Sequence, residues 1–285
     1  MTDTFPRQHA RTQGFTLGVP RSFQISPDGG TVAFLRSQDG ADPVTCLWAL
    51  DVATGEERLI ADPARIDGGG TVDPAEKARR ERSRERASGI VGFATDGGFR
   101  IAAFGLAGKV YVADLPAGGG VRELATLTPA ADPRPDPSGT LVAYVHAGAL
   151  RVVDISSGDD HAVAEPGAGD DRSFGLAEFV AAEEMSRMRG YWWAPDGKSL
   201  LVARVDDEPV QRWYIADPSN PEQPATEIRY PAAGTPNAEV NLFLAGLDGT
   251  LTQVEWDQVA FPYLVTVCWE GSGTGRGEPG AGREG

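Results

Sequence analysis

The chain has 285 residues, 41% of them hydrophobic, and a formal net charge of −15. This length allows a large buried core. The acidic balance excludes nucleic acid as the main partner, because phosphate binding needs a basic footprint, and it disfavours an anionic membrane surface for the same reason.

The opening residues, MTDTFPRQHARTQGF, hold no apolar leader, and no later run is long and apolar enough to span a bilayer. Cys46 and Cys268 lie far apart and make neither a metal-ligand pair nor a disulfide framework. We therefore expect a cytoplasmic protein with no membrane partner, no metal and no cofactor. Residues 1–20 read as an N-terminal segment, and from residue 21 onward the sequence repeats itself.

The first unit carries SPDG at Ser26, then the apolar run TVAFL, then LWALD ending in Asp51. Asp and Gly supply a tight turn, and the β-branched and aromatic runs read as strands. Residues 74–89, PAEKARRERSRERASG, interrupt the pattern and predict an inserted helix. The second unit follows with ATDG at Ala94, FRIAAFG, and VYVAD to Asp114; the third has DPSG at Asp136, TLVAYV, and LRVVD to Asp154. A second predicted helical insertion, residues 175–189, contains the adjacent Glu183 and Glu184. The fourth unit has APDG at Ala194, SLLVARV, and RWYIAD to Asp217, and a fifth begins with GLDG at Gly246 and TLTQVEW. FPYLVTVCW then reads as a further apolar strand. Residues 270–285 are rich in glycine and predict a disordered tail.

Strand, turn, strand and acidic turn, repeated at spacings of about 40 to 70 residues, is the pattern of propeller blades rather than of a β-sandwich. The predicted fold is all-β, a partial β-propeller of about five blade units over residues 21–269. Insertions in such an array tend to collect on a functional face.

Both insertions also have an ordinary explanation. In the arginine-rich segment, pairs such as Glu76 with Arg80 at i,i+4 suit an exposed, self-paired helix. Composition alone reads Glu183 and Glu184 as solvated surface. Trp192 and Trp193, adjacent on a strand, point to opposite faces and read as blade packing. Trp48, Trp213, Trp256 and Trp269 also read as core, and Tyr191 is a possible pocket-lining residue.

The run EFVAAEEMSRMRGYWWAPDGKSLLVARVDDEPV, followed by IRYPAAGTPNAEV, resembles the N-terminal propeller of the dipeptidyl peptidase IV family. These are serine peptidases of the prolyl oligopeptidase clan. The arginine-rich helix is similar to that of bacterial members and of the dipeptidyl peptidase 8 and 9 type. The resemblance covers roughly residues 15 to 269 by the repeat reading. It implies an eight-bladed propeller capping an α/β-hydrolase domain, with dipeptides released from free N-termini, often after proline or alanine. It implies that Glu183 and Glu184 bind the substrate's α-ammonium and that an arginine of the inserted helix, Arg86 or else Arg84, contacts a substrate carbonyl.

The sequence contains no G-x-S-x-G, the nucleophile elbow of such a hydrolase. The three histidines, His9, His146 and His161, have no evident serine partner. The expectation is therefore a substrate-recognition propeller of a serine dipeptidyl peptidase, present as an N-terminal fragment without its hydrolase domain and inactive alone. The alternative is a non-enzymatic propeller that binds peptides or proteins. Expected partners are a peptide with a free N-terminus, the hydrolase domain, and further copies of the chain through self-association.

Overall fold

The computed structural model describes residues 4–66, 88–116, 120–167 and 171–270. A short helix, α1 (Phe5–Arg11), precedes four antiparallel sheets taken in chain order. The first sheet has β1 (Arg21–Ile25), β2 (Thr31–Ser37), β3 (Val44–Asp51) and β4 (Glu57–Ala61). After α2 (Pro63–Ile66), the short β5 (Ser88–Gly89) adds in parallel to β3. The second sheet runs β6 (Phe93–Thr95), β7 (Ile101–Leu106), β8 (Lys109–Asp114) and β9 (Val121–Glu123). The third runs β10 (Ala131–Pro135), β11 (Leu141–His146), β12 (Ala149–Asp154) and β13 (Asp160–Ala164).

The fourth sheet begins with β14 (Arg172–Leu176), followed by α3 (Phe179–Glu184), β15 (Arg189–Trp193) and β16 (Ser199–Asp206). The hairpin β17 (Arg212–Ile215) and β18 (Thr226–Arg229) stands apart as a two-stranded sheet. The chain then re-enters with β19 (Glu239–Gly246) and β20 (Leu251–Val254).

This is the expected all-β propeller, with blades formed from consecutive hairpins and few short helices. Its blade count differs from the sequence expectation. The fifth turn, GLDG at Gly246, joins β19 to β20 inside the fourth blade, so the described residues hold four blades and not five. RWYIAD is not the fourth blade's next strand either. That place belongs to β19, which pairs with β16 in unbroken register from Ser199↔Gly246 to Asp206↔Glu239. The β17–β18 hairpin is an insertion, and all four residues of β17 are exposed. FPYLVTVCW forms no strand: residues 255–270 run as irregular chain. The tail 271–285 and residues 74–87 of the predicted arginine-rich helix lie outside the described residues.

The core lies between successive sheets because each blade is apolar on both faces. Ala33, Leu35 and Leu47 of the first blade pack on Phe104 and Tyr111 of the second. Val110 and Val112 meet Val142 and Tyr144 of the third, and Val145, Leu150 and Val152 meet Tyr191, Leu200 and Val202 of the fourth. Strands of neighbouring blades, β1 with β6 and β10 with β15, are also tied to each other. Gln24 Nε2 donates to Phe93 O at 3.0 Å, Thr95 Oγ1 donates to Gln24 Oε1 at 2.9 Å, and Trp193 Nε1 donates to Arg134 O at 3.1 Å.

Candidate functional site

The chain leaves the fourth blade to make α3 and returns to it within a few residues. β14 pairs with β16 and then with β15, where Gly175 lies opposite Gly190. A Cβ on Gly190 would fall 2.5 Å from the carbonyl carbon of Gly175 and the nitrogen of Leu176, so only glycine allows this crossing. The predicted helix over 175–189 is confined to Phe179–Glu184, six residues.

Its start is set by Glu178, in extended conformation at the N-cap, whose Oε2 accepts from Ala181 N at 2.7 Å. Ala181 and Ala182 are buried beneath it, and Phe179 meets Tyr230 edge-on at 5.1 Å. Its end is set by Ser186 in the left-handed region (φ 53°), after which Arg187 N donates to Ala181 O at 3.0 Å.

Glu183 and Glu184 therefore occupy the last turn, and both are exposed. The end of a helix carries partial negative charge from its free carbonyls, which makes two carboxylates there electrostatically unfavourable. Among the described residues no lysine or arginine pairs with either of them. The arrangement collects negative charge in one place, and the described residues supply no cation to meet it.

The surroundings of this pair are buried and already committed. The side chains of Glu178 and Arg187 are each 6% exposed, with Arg187 Nη2 3.4 Å from Glu178 Oε1. Burial pushes the Arg187 guanidinium below its ordinary range, and Glu178 only partly opposes this. Sequence reasoning missed both residues, since charged side chains in a polar run read as solvated; the one available signal was an acidic residue directly before an apolar helical start.

Tyr191 is fully buried, and its one hydroxyl proton lies within hydrogen-bonding reach of two carbonyl oxygens, Asp132 O and, at 2.9 Å, Ala143 O. It therefore holds the third and fourth blades together rather than lining a pocket. Trp192 is buried as expected, whereas Trp213 is exposed on the inserted hairpin, a correction to its reading as core. Trp256 and Trp269 lie on irregular chain, half-buried. Arg189 stacks on Trp192 at 5.3 Å, and burial together with the nearby Arg134 pushes it down to about 10.

A cavity of about 310 Å³ lies beside the first turn of α3, lined by Glu178, Phe179, Val180, Val205, Val210 and Ile228. Arg84 and Arg86 lie outside the described residues. His146 Nδ1 and His161 Nε2 each face a backbone carbonyl, of Pro129 and Leu247, at 2.9 and 3.0 Å. Among the described residues no cluster of three or more His, Cys, Asp or Glu is placed to hold a metal ion, and no helix is long and apolar enough to cross a membrane.

The chain is 38% identical to dipeptidyl peptidase 8 of Mus musculus over 80 residues, 25% of this chain and 9% of that protein. It is 32% identical to dipeptidyl-aminopeptidase B of Aspergillus niger over 120 residues, 37% of this chain and 13% of that protein. The matched stretches are thus a small part of these relatives' own length. The crystal structure of Porphyromonas gingivalis dipeptidyl peptidase 4 shares the fold, with a TM-score of 0.61 at 19% identity, over 86% of this chain and 34% of that one. A family profile described as the dipeptidyl peptidase IV (DPP IV) N-terminal region matches residues 100–275, more than half of the chain. The chain belongs to the dipeptidyl peptidase IV N-terminal region family.

Proposed function

We propose that the chain is the substrate-recognition propeller of a serine-type dipeptidyl peptidase, and that Glu183 and Glu184 bind the α-ammonium of a peptide with a free N-terminus. The observation that carries this reading is the placement, on the last turn of a helix whose base is buried, of two exposed carboxylates that no lysine or arginine among the described residues pairs. An exopeptidase that releases dipeptides must measure from a chain end, and only a free end carries an ammonium. Its three N–H donors match the acceptor oxygens of two carboxylates, which neighbouring helical positions point about 100° apart. An acetylated end carries no charge and would leave the carboxylates uncompensated. Arg86, or else Arg84, would then hold a substrate carbonyl, and the hydrolytic step would belong to a hydrolase domain joined to this propeller. The chain by itself would therefore be inactive, and peptides of the Xaa-Pro or Xaa-Ala type are the expected ligands.

The test is calorimetric titration with Ala-Pro and acetyl-Ala-Pro. The free dipeptide should bind more tightly, and Glu183→Gln or Glu184→Gln should each remove the difference. A lost charge-assisted contact is worth roughly 1.5 to 3 kcal/mol, about a 10- to 150-fold change in affinity. Equal binding of the two peptides to the wild type would overturn the ammonium-site reading. A chromogenic Ala-Pro conjugate should show no turnover with the purified chain; turnover blocked by a serine-directed inhibitor would overturn the assignment of the hydrolytic step.

A further inference from the structure

A helix of six residues has no stability of its own. Only Ala181 and Ala182 are buried beneath α3, and Glu178, Phe179 and Val180 of its first turn border the 310 Å³ cavity, so little apolar contact fixes where Glu183 and Glu184 stand. The polar anchor on this side is Arg187. Its planar fork is directed at three separate segments: Nε donates to Leu264 O at 2.9 Å, Nη1 to Arg189 O at 3.0 Å, and Nη2 faces Glu178 at 3.4 Å. Glu178 in turn caps the helix. Leu264 lies on the irregular chain after the fourth blade and packs on Ala203, Val205 and Val240, the outer face of that blade.

We infer that Arg187 is a positioning residue that sets the aim of the Glu183–Glu184 pair and couples it to the segment seated on the outer face of the fourth blade. The inference rests on reading that pair as the ammonium site. The path is short and physical, from the seat of Leu264 to its carbonyl, to the guanidinium, to the carboxylate of Glu178 and so to the first turn of α3. A guanidinium can serve three directions at once because its donors are spread over three nitrogens in a fixed plane, whereas an ammonium carries its three donors on one atom at the end of a flexible stem. Whatever displaces residues 255–270 from the blade would therefore also loosen recognition of the peptide end.

The experiment compares the wild-type chain with Arg187→Met, Arg187→Lys and Leu264→Ala, using two readouts. The first is the affinity ratio of Ala-Pro to acetyl-Ala-Pro; the second is amide hydrogen exchange by peptide segment. Arg187→Met should lower the ratio about tenfold and raise exchange at residues 178–186 and 260–268, with the first three blades unchanged. Arg187→Lys should restore part of the ratio, and Leu264→Ala should shift both readouts in the same direction by less. An unchanged ratio in a folded Arg187→Met chain would overturn the inference, as would an exchange increase spread evenly over all four blades. Should Arg187→Met not fold, Leu264→Ala decides: altered exchange at 178–186 supports the coupling, and exchange altered only at 260–268 overturns it. A wild type that does not distinguish the two peptides would defeat the ammonium reading, while the exchange data would still decide whether Arg187 couples the two segments.

Discussion

Asp96 Oδ1 accepts from Arg100 N and Ile101 N at 2.6 and 2.9 Å, and Asp136 Oδ1 accepts from Thr140 N and Leu141 N at 2.8 and 2.7 Å. Each closes the turn between the first two strands of its blade, and each also faces the next blade. A Cβ on Gly139 would lie 2.9 Å from Asp96 Oδ2, and one on Gly197 would lie 3.1 Å from Asp136 Oδ2. Both glycines have left-handed backbone (φ 67° and 70°). In the second blade the same left-handed position holds Phe99 (φ 56°), which is buried in the core shared with the first blade. The matching residue of the first blade is Ser26, shorter than aspartate and bonded to its own turn through Asp28 and Thr31. The neighbour thus decides whether the position must be glycine. Gly139→Ala is expected to destabilise the chain by roughly 1 to 3 kcal/mol through backbone strain and crowding of a pinned carboxylate. In an Asp96→Ser background the same change should cost on the order of 1 kcal/mol less, because the two sites are coupled. Denaturant unfolding of the four chains of this cycle checks it; strict additivity would mean that the contact does not matter. The turn signature was legible in the sequence, although ATDG in the second blade was two residues out of register: Ala94 and Thr95 lie in β6, and the turn starts at Asp96. The pairing of one blade's first turn residue with the next blade's fourth was not legible, because it follows from blade stacking and not from spacing along the chain.

At the scale of elements, the third strand of the first and third blades ends in an aspartate that folds the acidic turn after it. Asp154 accepts from Ser156 N, Ser156 Oγ and Ser157 N at 2.6 to 2.8 Å, and these bonds hold its carboxyl down to about 2. Bonds from Thr54 lower Asp51 in the same way, and bonds from Ser26 and Gly30 lower Asp28. A carboxylate depressed in the folded state contributes stability that is present above its unfolded value, about 3.9, and lost as pH falls through the folded value. The melting temperature should therefore hold steady down to about pH 5 and fall between about pH 4 and 2. Asp154→Asn should be less stable than the wild type at pH 6 and should show a shallower fall over the acid range. Equal slopes for the two chains would remove Asp154 from the account. The fourth blade shows where this rule misleads. RWYIAD has the same alternation and the same final aspartate, yet it lies in an exposed hairpin, and its Trp213 touches Tyr230 at 5.2 Å instead of a blade core. Alternation reports a strand with two unlike faces; it does not report which sheet the strand joins. Glu178 and Arg187 were hidden for a related reason, since their pairing across α3 and the seating of distant Leu264 on Arg187 come from tertiary packing and not from local spacing.

For the whole molecule, three cores lie between four blades, and the two outermost faces have no blade against them among the described residues. They are covered differently. On the first blade Arg36 lies across the rings of Phe34 and Trp48 at 5.4 and 4.6 Å and pairs with Glu57, so a cation shields part of the apolar face. Phe23 and Ile25 beside it remain 60% and 65% exposed. On the fourth blade Leu264 covers Ala203, Val205 and Val240, but Phe261, Tyr263 and Val265 of the same segment point outward. Exposed apolar surface of this kind favours association, and unpaired strand edges add to it. The net charge of −15 opposes association through mutual repulsion, which salt screens over about 10 Å at 0.1 M. We therefore expect the isolated chain to self-associate, with the mass from light scattering rising with protein concentration and rising further with added sodium chloride. Phe261→Lys with Val265→Lys should lower that mass without lowering the melting temperature, because neither side chain is buried. If apolar contact is the driving force, salt must act in this direction; association held together by ion pairs would weaken with salt instead. A single monomeric mass at every concentration and salt level, with a sharp melt, would show that both outer faces are adequately covered as they stand.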